Sequence, residues 1–217
     1  CLRSCKSNVF QMKKIKKVLF VCSVYKPNVG GIETAVEELS QYYSTKGIKS
    51  TVLTKKFPFD LLEFGKVNGT EVFRFKRPVV DNEYKKLLLW LKKYENDIKS
   101  DVVHVIGVRR PMPLVGLLLA RRWNVPFIIN FSGGDVPDPN NKESLRIWKE
   151  ENGTVIEPIK QADKLISFSK GINRLAKKSI LKLKKIDVVY AGIDLNRIKR
   201  ARKKDLSFDY IITARRL

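Results

Sequence analysis

KKVLFVCSVYKPNVGGIETAVEELSQYYSTKG, Lys16 to Gly47, is the stretch that decides the fold class. Val18 to Val24 is a near-continuous apolar run, the pattern of a parallel strand buried on both faces. Pro27 to Gly31 interrupts it. Ile32, Ala35, Val36, Leu39 and Tyr43 then recur at helical spacing until Gly47 stops the helix. Gly30 and Gly31 at the helix start allow a ligand close to the backbone, facing free N–H groups and the positive end of the helix dipole. That arrangement suits a phosphate or a sugar hydroxyl. Taken alone, the glycine pair says no more than a tight strand-to-helix turn.

Outward from this unit, strands and helices alternate. Strands are expected at Lys49 to Thr54, Glu71 to Phe75, Asp101 to Ile106, Val125 to Phe131, Lys164 to Phe168 and Ile186 to Tyr190, with an isolated one at Tyr210 to Thr213. Helices are expected over Asn82 to Lys99, Pro113 to Arg122, the 143–161 region with a break near Gly153, and Gly171 to Leu181. The pattern predicts an α/β fold: a Rossmann-like, doubly wound parallel sheet with helices on both faces. Ligands of such sheets bind at the carboxyl ends of the strands. The loops to search are therefore Lys26 to Gly31, Gly107 to Arg110, Ser132 to Asp135, Ser169 to Lys170 and Ala191 to Asp194.

The 217 residues suffice for one sizeable core and the edge of a second domain. No apolar stretch approaches the roughly 20 residues of a membrane-spanning helix, and no cleavable leader is visible. Cys1, Cys5 and Cys22 form no disulfide or metal pattern, so a reduced cytoplasmic setting is expected. Residues 1–11 read as a tail before Met12. Lysine and arginine number 44 against 22 acids, a net charge of +22. Such a field draws polyanions: nucleic acid, anionic lipid headgroups or phosphate-rich ligands. The basic runs Lys177 to Lys185 and Arg197 to Lys204 lack interleaved aromatics, so nucleic acid ranks below a membrane surface. Lys85, Lys86, Lys92, Lys93 and Lys99 make the 82–99 helix the candidate docking element, with Trp90 off its main apolar face and free to sit at the interface.

His104 is the only histidine, near the end of a strand in DVVHVIG. A lone histidine argues against a histidine-based metal site, and no GxSxG accompanies it for a catalytic triad. The loop in NFSGGDV offers Asn130, Ser132, two glycines and Asp135, small polar groups able to hold several hydroxyls, as a carbohydrate requires. The same loop also reads as an Asx-type turn. Neither a P-loop nor a GxGxxG is present.

PNVGGIE before a helix, then DVVHVIG, NFSGGDV, ADKLISFSKGI, VVYAGIDLNRI and IITARRL occur in an order that resembles the family 4 retaining glycosyltransferases of the GT-B fold. The resemblance runs from Lys13 to Leu217. It implies two Rossmann-like domains facing a cleft, the N-terminal one for the acceptor and the C-terminal one for a nucleotide-sugar donor. On that pattern residues 12–204 are the acceptor domain, and residues 205–217 begin the donor domain. Gly30, Gly31, His104, Asn130, Ser132 and Asp135 would touch acceptor or transferred sugar, and Gly31 and Arg216 the donor phosphate. No metal or cofactor is implied, nor any protein nucleophile, since the donor phosphate takes the acceptor proton in such enzymes. The acceptor would be a lipid-linked or saccharide hydroxyl in a glycolipid or polysaccharide precursor, handled at the inner face of the cell membrane. Residues 1–217 by themselves are expected to be inactive. Two departures stand out: Ser132 occupies the place of the family's histidine, and Arg215 that of the glycine before Arg216. The alternative is a non-catalytic, membrane-docking subunit that presents the acceptor to a separate donor domain.

Overall fold

The computed structural model describes residues 14–78, 81–138, 140–142, 152–180 and 183–192. Its first strand, β1 (Lys17–Cys22), is buried along almost its whole length, as its apolar run demands. It leads to α1 (Gly31–Thr45) and then to β2 (Lys49–Lys55), β3 (Phe64–Val67) and β4 (Thr70–Phe75). After α2 (Asp81–Lys93) and α3 (Glu95–Ile98) come β5 (Val102–Ile106), α4 (Met112–Trp123) and β6 (Phe127–Phe131). A π-helical turn at Asn152–Ile156 runs into α5 (Glu157–Lys160), followed by β7 (Lys164–Ser167), α6 (Lys170–Ser179) and β8 (Ile186–Val188).

Among the described residues, eight strands form one sheet in the order β3-β4-β2-β1-β5-β6-β7-β8. All neighbours are parallel except β3, which pairs antiparallel with β4. The chain moves outward from β1 to β2 on one side and to β5 on the other, so the topological switch lies between β1 and β5. A crevice at the carboxyl ends of those strands is where such sheets bind ligands. Two apolar layers sandwich the sheet. One holds Leu19, Val21, Leu53, Val103 and Val105 under α2, α4 and α6. The other holds Phe20, Val52 and Ile106 under α1, which contributes Val36.

Local chemistry explains the element ends. Asn124 at φ 52° closes α4 in the left-handed conformation, and the Val125 N–H returns to the Ala120 carbonyl at 3.0 Å. Ser169 caps α6, its Oγ accepting from the Ile172 N–H at 3.1 Å. Gly116 brings α4 against the sheet, since a Cβ there would stand 2.4 Å from Val105 Cγ2.

Several expectations need correction. The sequence pattern predicts no strand where β3 forms. The Asn68-Gly69 pair, at φ 46° and 80°, makes the two-residue hairpin that returns it to β4. The helix expected over Asn82 to Lys99 is two helices, broken at Tyr94. Trp90 is not free for an interface: its Nε1 donates to Glu63 Oε2 at 3.0 Å, and its ring packs on Phe75 and Tyr94. The beginning of the 143–161 helix, the Tyr210 to Thr213 strand, the tail at residues 1–11, Arg215 and Arg216 lie outside the described residues.

Candidate functional site

Four of the searched loops, those after β1, β5, β6 and β8, meet at the carboxyl edge of the sheet. A cleft of about 330 Å³ is lined by Gly31, Ile32, Arg109, Ser132, Asp135 and Phe168, among others. Gly31 opens α1, and no side chain caps that helix start. The first intrahelical bond runs from the Thr34 N–H to the Gly30 carbonyl at 3.0 Å. The N–H groups of the first turn thus lack helical acceptors. Neither glycine is held at a positive φ: Gly30 is extended at −167°, and Gly31 is not among the positive-φ positions. A Cβ on Gly31 would meet nothing within 4 Å. The backbone conformation at position 31 therefore does not itself require glycine. What glycine leaves there is open space at the helix start.

Asp135 is buried, and its hydrogen bonds run to the chain's own backbone. The Val108 N–H donates to Oδ2 at 2.6 Å and the Ser132 N–H to Oδ1 at 3.3 Å. The carboxylate thus ties the loop after β5 to the loop after β6. Burial pushes its pKa up, and the surrounding backbone N–H groups pull it part of the way back. Gly107, at φ 84°, is the glycine the geometry requires: a Cβ would lie 2.9 Å from Ile32 Cδ1 and 3.3 Å from Asp135 Oδ2.

His104 and Asn130 lie elsewhere. They sit on β5 and β6, facing a second groove of about 580 Å³ between α1 and the sheet, with Leu39, Tyr43 and Ile166 among its walls. The two cavities adjoin, sharing Ala35, Phe168 and Ala191. His104 Nε2, both amide atoms of Asn130 and the hydroxyl of Ser132 are buried without a hydrogen-bond partner. Unsatisfied polar atoms of this kind are costly unless a ligand or water meets them.

Burial holds the His104 imidazole down to about 4, so it is neutral at pH 7. The unfolded chain takes up this proton near 6.5 and the folded one only near 4. The stability contribution is therefore complete above pH 6.5 and is lost as pH falls toward 4. Its size is on the order of 2 kcal/mol, allowing for the ring's partial exposure to the groove. Thermal melts across that range should fall less steeply with acid for His104→Phe than for the parent. Equal slopes would rule the linkage out.

Cys22 is fully buried, and burial raises its thiol to about 12, which leaves it inert. Among the described residues no three histidine, cysteine or carboxylate side chains come together as a metal site. Likewise, no helix among them is long and apolar enough to cross a membrane. Arg109, within the searched loop Gly107 to Arg110 but not among the candidate site residues, also lines the cleft. The signal was present: two arginines follow Gly107 directly at a strand's carboxyl end, where a cation can meet an anionic ligand.

The sequence pattern of glycosyltransferase family 4 matches residues 29–197, most of the chain. The chain belongs to glycosyltransferase family 4. Two solved chains of a sucrose-phosphate synthase from Thermosynechococcus elongatus share its fold. One is 14% identical with a TM-score of 0.54, over 81% of this chain and 89% of that one. The other is 13% identical with a TM-score of 0.60, over 83% of this chain and 49% of that one. This family 4 chain therefore spans about half the length of the longer synthase chain. At such identities the likeness establishes the Rossmann-like half of a GT-B fold and no substrate. No curated protein sequence matches the chain.

Proposed function

We propose that this chain is the acceptor-binding domain of a retaining glycosyltransferase, which moves a sugar from a nucleotide donor to a hydroxyl acceptor. The acceptor is a saccharide or lipid-linked precursor held at the cytoplasmic face of the membrane. The observation that carries the reading is the set of unpartnered buried polar atoms on His104, Asn130 and Ser132, lining two adjoining cavities beside an uncapped helix start. Hydroxyls, each both donor and acceptor, are the groups best suited to satisfy them. Asp135 holds the two loops in place, the α1 start offers N–H groups, and Arg109 supplies positive charge. Arg216 and a donor domain would complete the diphosphate site. The protein's part is orientation and electrostatic stabilisation, with no metal and no covalent intermediate on a side chain.

Ligand-observed NMR on the 217-residue chain tests this against a panel of saccharides, glycolipids and nucleotide sugars. Saccharide or glycolipid binding is expected, weakened about tenfold or more by Asn130→Leu, which removes the two amide contacts at similar volume. Nucleotide sugars should bind weakly and give no product with this chain alone. Absence of any saccharide or glycolipid binding would overturn the acceptor assignment. Robust turnover would overturn the division of labour.

A further inference from the structure

The loop from β2 to β3 departs from ordinary surface chemistry. Lys55 to Leu62 reads KKFPFDLL, and its apolar side chains face solvent: Phe59 is 73% exposed, Leu62 76% and Phe57 49%. The tip is nonetheless ordered. The Phe57 and Phe59 rings meet edge to face at 6.0 Å. Asn28 Nδ2 donates to the Phe57 carbonyl at 2.8 Å, fastening the tip to the loop after β1, where Val29 is also exposed. Glu63, at the loop's far end, accepts from Trp90 Nε1 and Tyr94 OH. A fixed, exposed cluster of phenylalanine and leucine is unusual on a protein surface and marks a contact site.

Cations lie beside it. Lys55 ends β2, Lys76 and Arg77 follow β4, and Arg109 follows β5, all at the carboxyl edge of the sheet. Lys55 is half-buried. Burial, with the charges of Arg77, Arg109 and Arg110, brings its ammonium down to about 8. The order β4-β2-β1-β5 sets these cations along one edge of the sheet, and an anion between them would relieve their repulsion. Asp60 is the one acid in the 55–62 stretch. Arg109 also lines the cleft described above, so the charged edge leads into it.

We propose that the carboxyl edge of β2 and β4 is a membrane-docking surface, where Phe57, Phe59 and Leu62 enter the lipid and a lipid phosphate sits among Lys55, Arg77 and Arg109. Leucine and phenylalanine at a protruding tip gain by burial in acyl chains, and the flanking cations gain from anionic headgroups. Nucleic acid is the weaker match: the Phe57 and Phe59 rings can stack a base, but Leu62 and Val29 beside them cannot, and they gain only by burial in acyl chains. Docking here presents the cleft to a lipid lying in the same membrane. The docking surface stands independently of the transferase reading; only the lipid's role as acceptor depends on it.

The test is co-sedimentation of the 217-residue chain with phosphatidylcholine vesicles, with and without phosphatidic acid. Binding to the mixed vesicles alone is expected, and it should weaken as salt rises. F59S/L62S and K55Q/R77Q should each weaken it about tenfold or more. All four residues lie outside the core, and circular dichroism should show them folded. L88S/L89S, at exposed leucines on α2, should bind as the parent does. Loss of binding in that pair with retention in the other two would move the surface to α2 and overturn the proposal. Binding of inorganic pyrophosphate or a single-stranded oligonucleotide without binding of vesicles would overturn it as well. Docking with no saccharide or glycolipid binding by NMR would leave this surface standing and remove the acceptor reading instead.

Discussion

Replacing Asp135 by alanine is expected to destabilise the chain by about 3 kcal/mol, because its carboxylate is the acceptor for buried backbone donors of two loops. The Val108 N–H at 2.6 Å is itself buried and would be left without an acceptor. Each such orphan costs roughly 1–3 kcal/mol. A gain opposes the loss: burial penalises the charged carboxylate, and its removal lifts that penalty. The hydrogen bonds should outweigh it, since several donors converge on one group. Asp135→Asn separates the terms. It keeps the shape and removes the charge, but turns one acceptor into a donor facing an N–H. An intermediate loss is expected. Urea unfolding measures both variants, and a change under about 1 kcal/mol for alanine would show that the loops hold without the carboxylate. Saccharide binding should weaken in both, since Ser132 and Arg109 stand on the two loops that Asp135 joins.

In the sequence, NFSGGDV after a strand offers a carboxylate at a carboxyl edge, and nothing local shows where its oxygens point. Only the pairing of β5 with β6 brings Val108 to it. The sheet was far more legible. Its strands announce themselves as short apolar runs because parallel strands are buried on both faces, and each expected strand among the described residues appears within a few positions. β3 escaped because its FGKV is exposed at the sheet edge and carries no apolar run, although Asn68-Gly69 is the strongest short hairpin signal known. The break at Tyr94 escaped because apolar spacing continues through it into α3. His104 and Asn130 fall within the expected strands Asp101 to Ile106 and Val125 to Phe131, which pair as β5 and β6. Their groove on the sheet face, beside α1 and not at the loop ends, depends on which way each strand's residues alternate, and a pattern buried on both faces does not reveal that. Lys55, Arg77 and Arg109 are far apart in sequence, and only the order β4-β2-β1-β5 gathers them at one edge.

The second large effect is expected at Gly31. In a preparation competent for transfer, Gly31→Val should lower the rate about a hundredfold or more while leaving the fold intact. The backbone there makes no demand that valine cannot meet, because φ is not positive and a Cβ would have nothing within 4 Å. Valine is also the better helix former by a few tenths of a kcal/mol, so the melt should stay level or rise slightly. The open space is the point. It lies in the cleft at the uncapped start of α1. Branched carbons there would hold a ligand away from the first-turn N–H groups. A lost donor to charge developing in a transition state costs on the order of 3 kcal/mol, which is the expected hundredfold. Gly31→Ala fills less of the space and should fall between parent and valine. Kinetics paired with a melt decides the matter. Activity within a few-fold of the parent would make the turn structural only. A collapsed melt would contradict the open space itself, since nothing in the fold would then be free to accept the side chain.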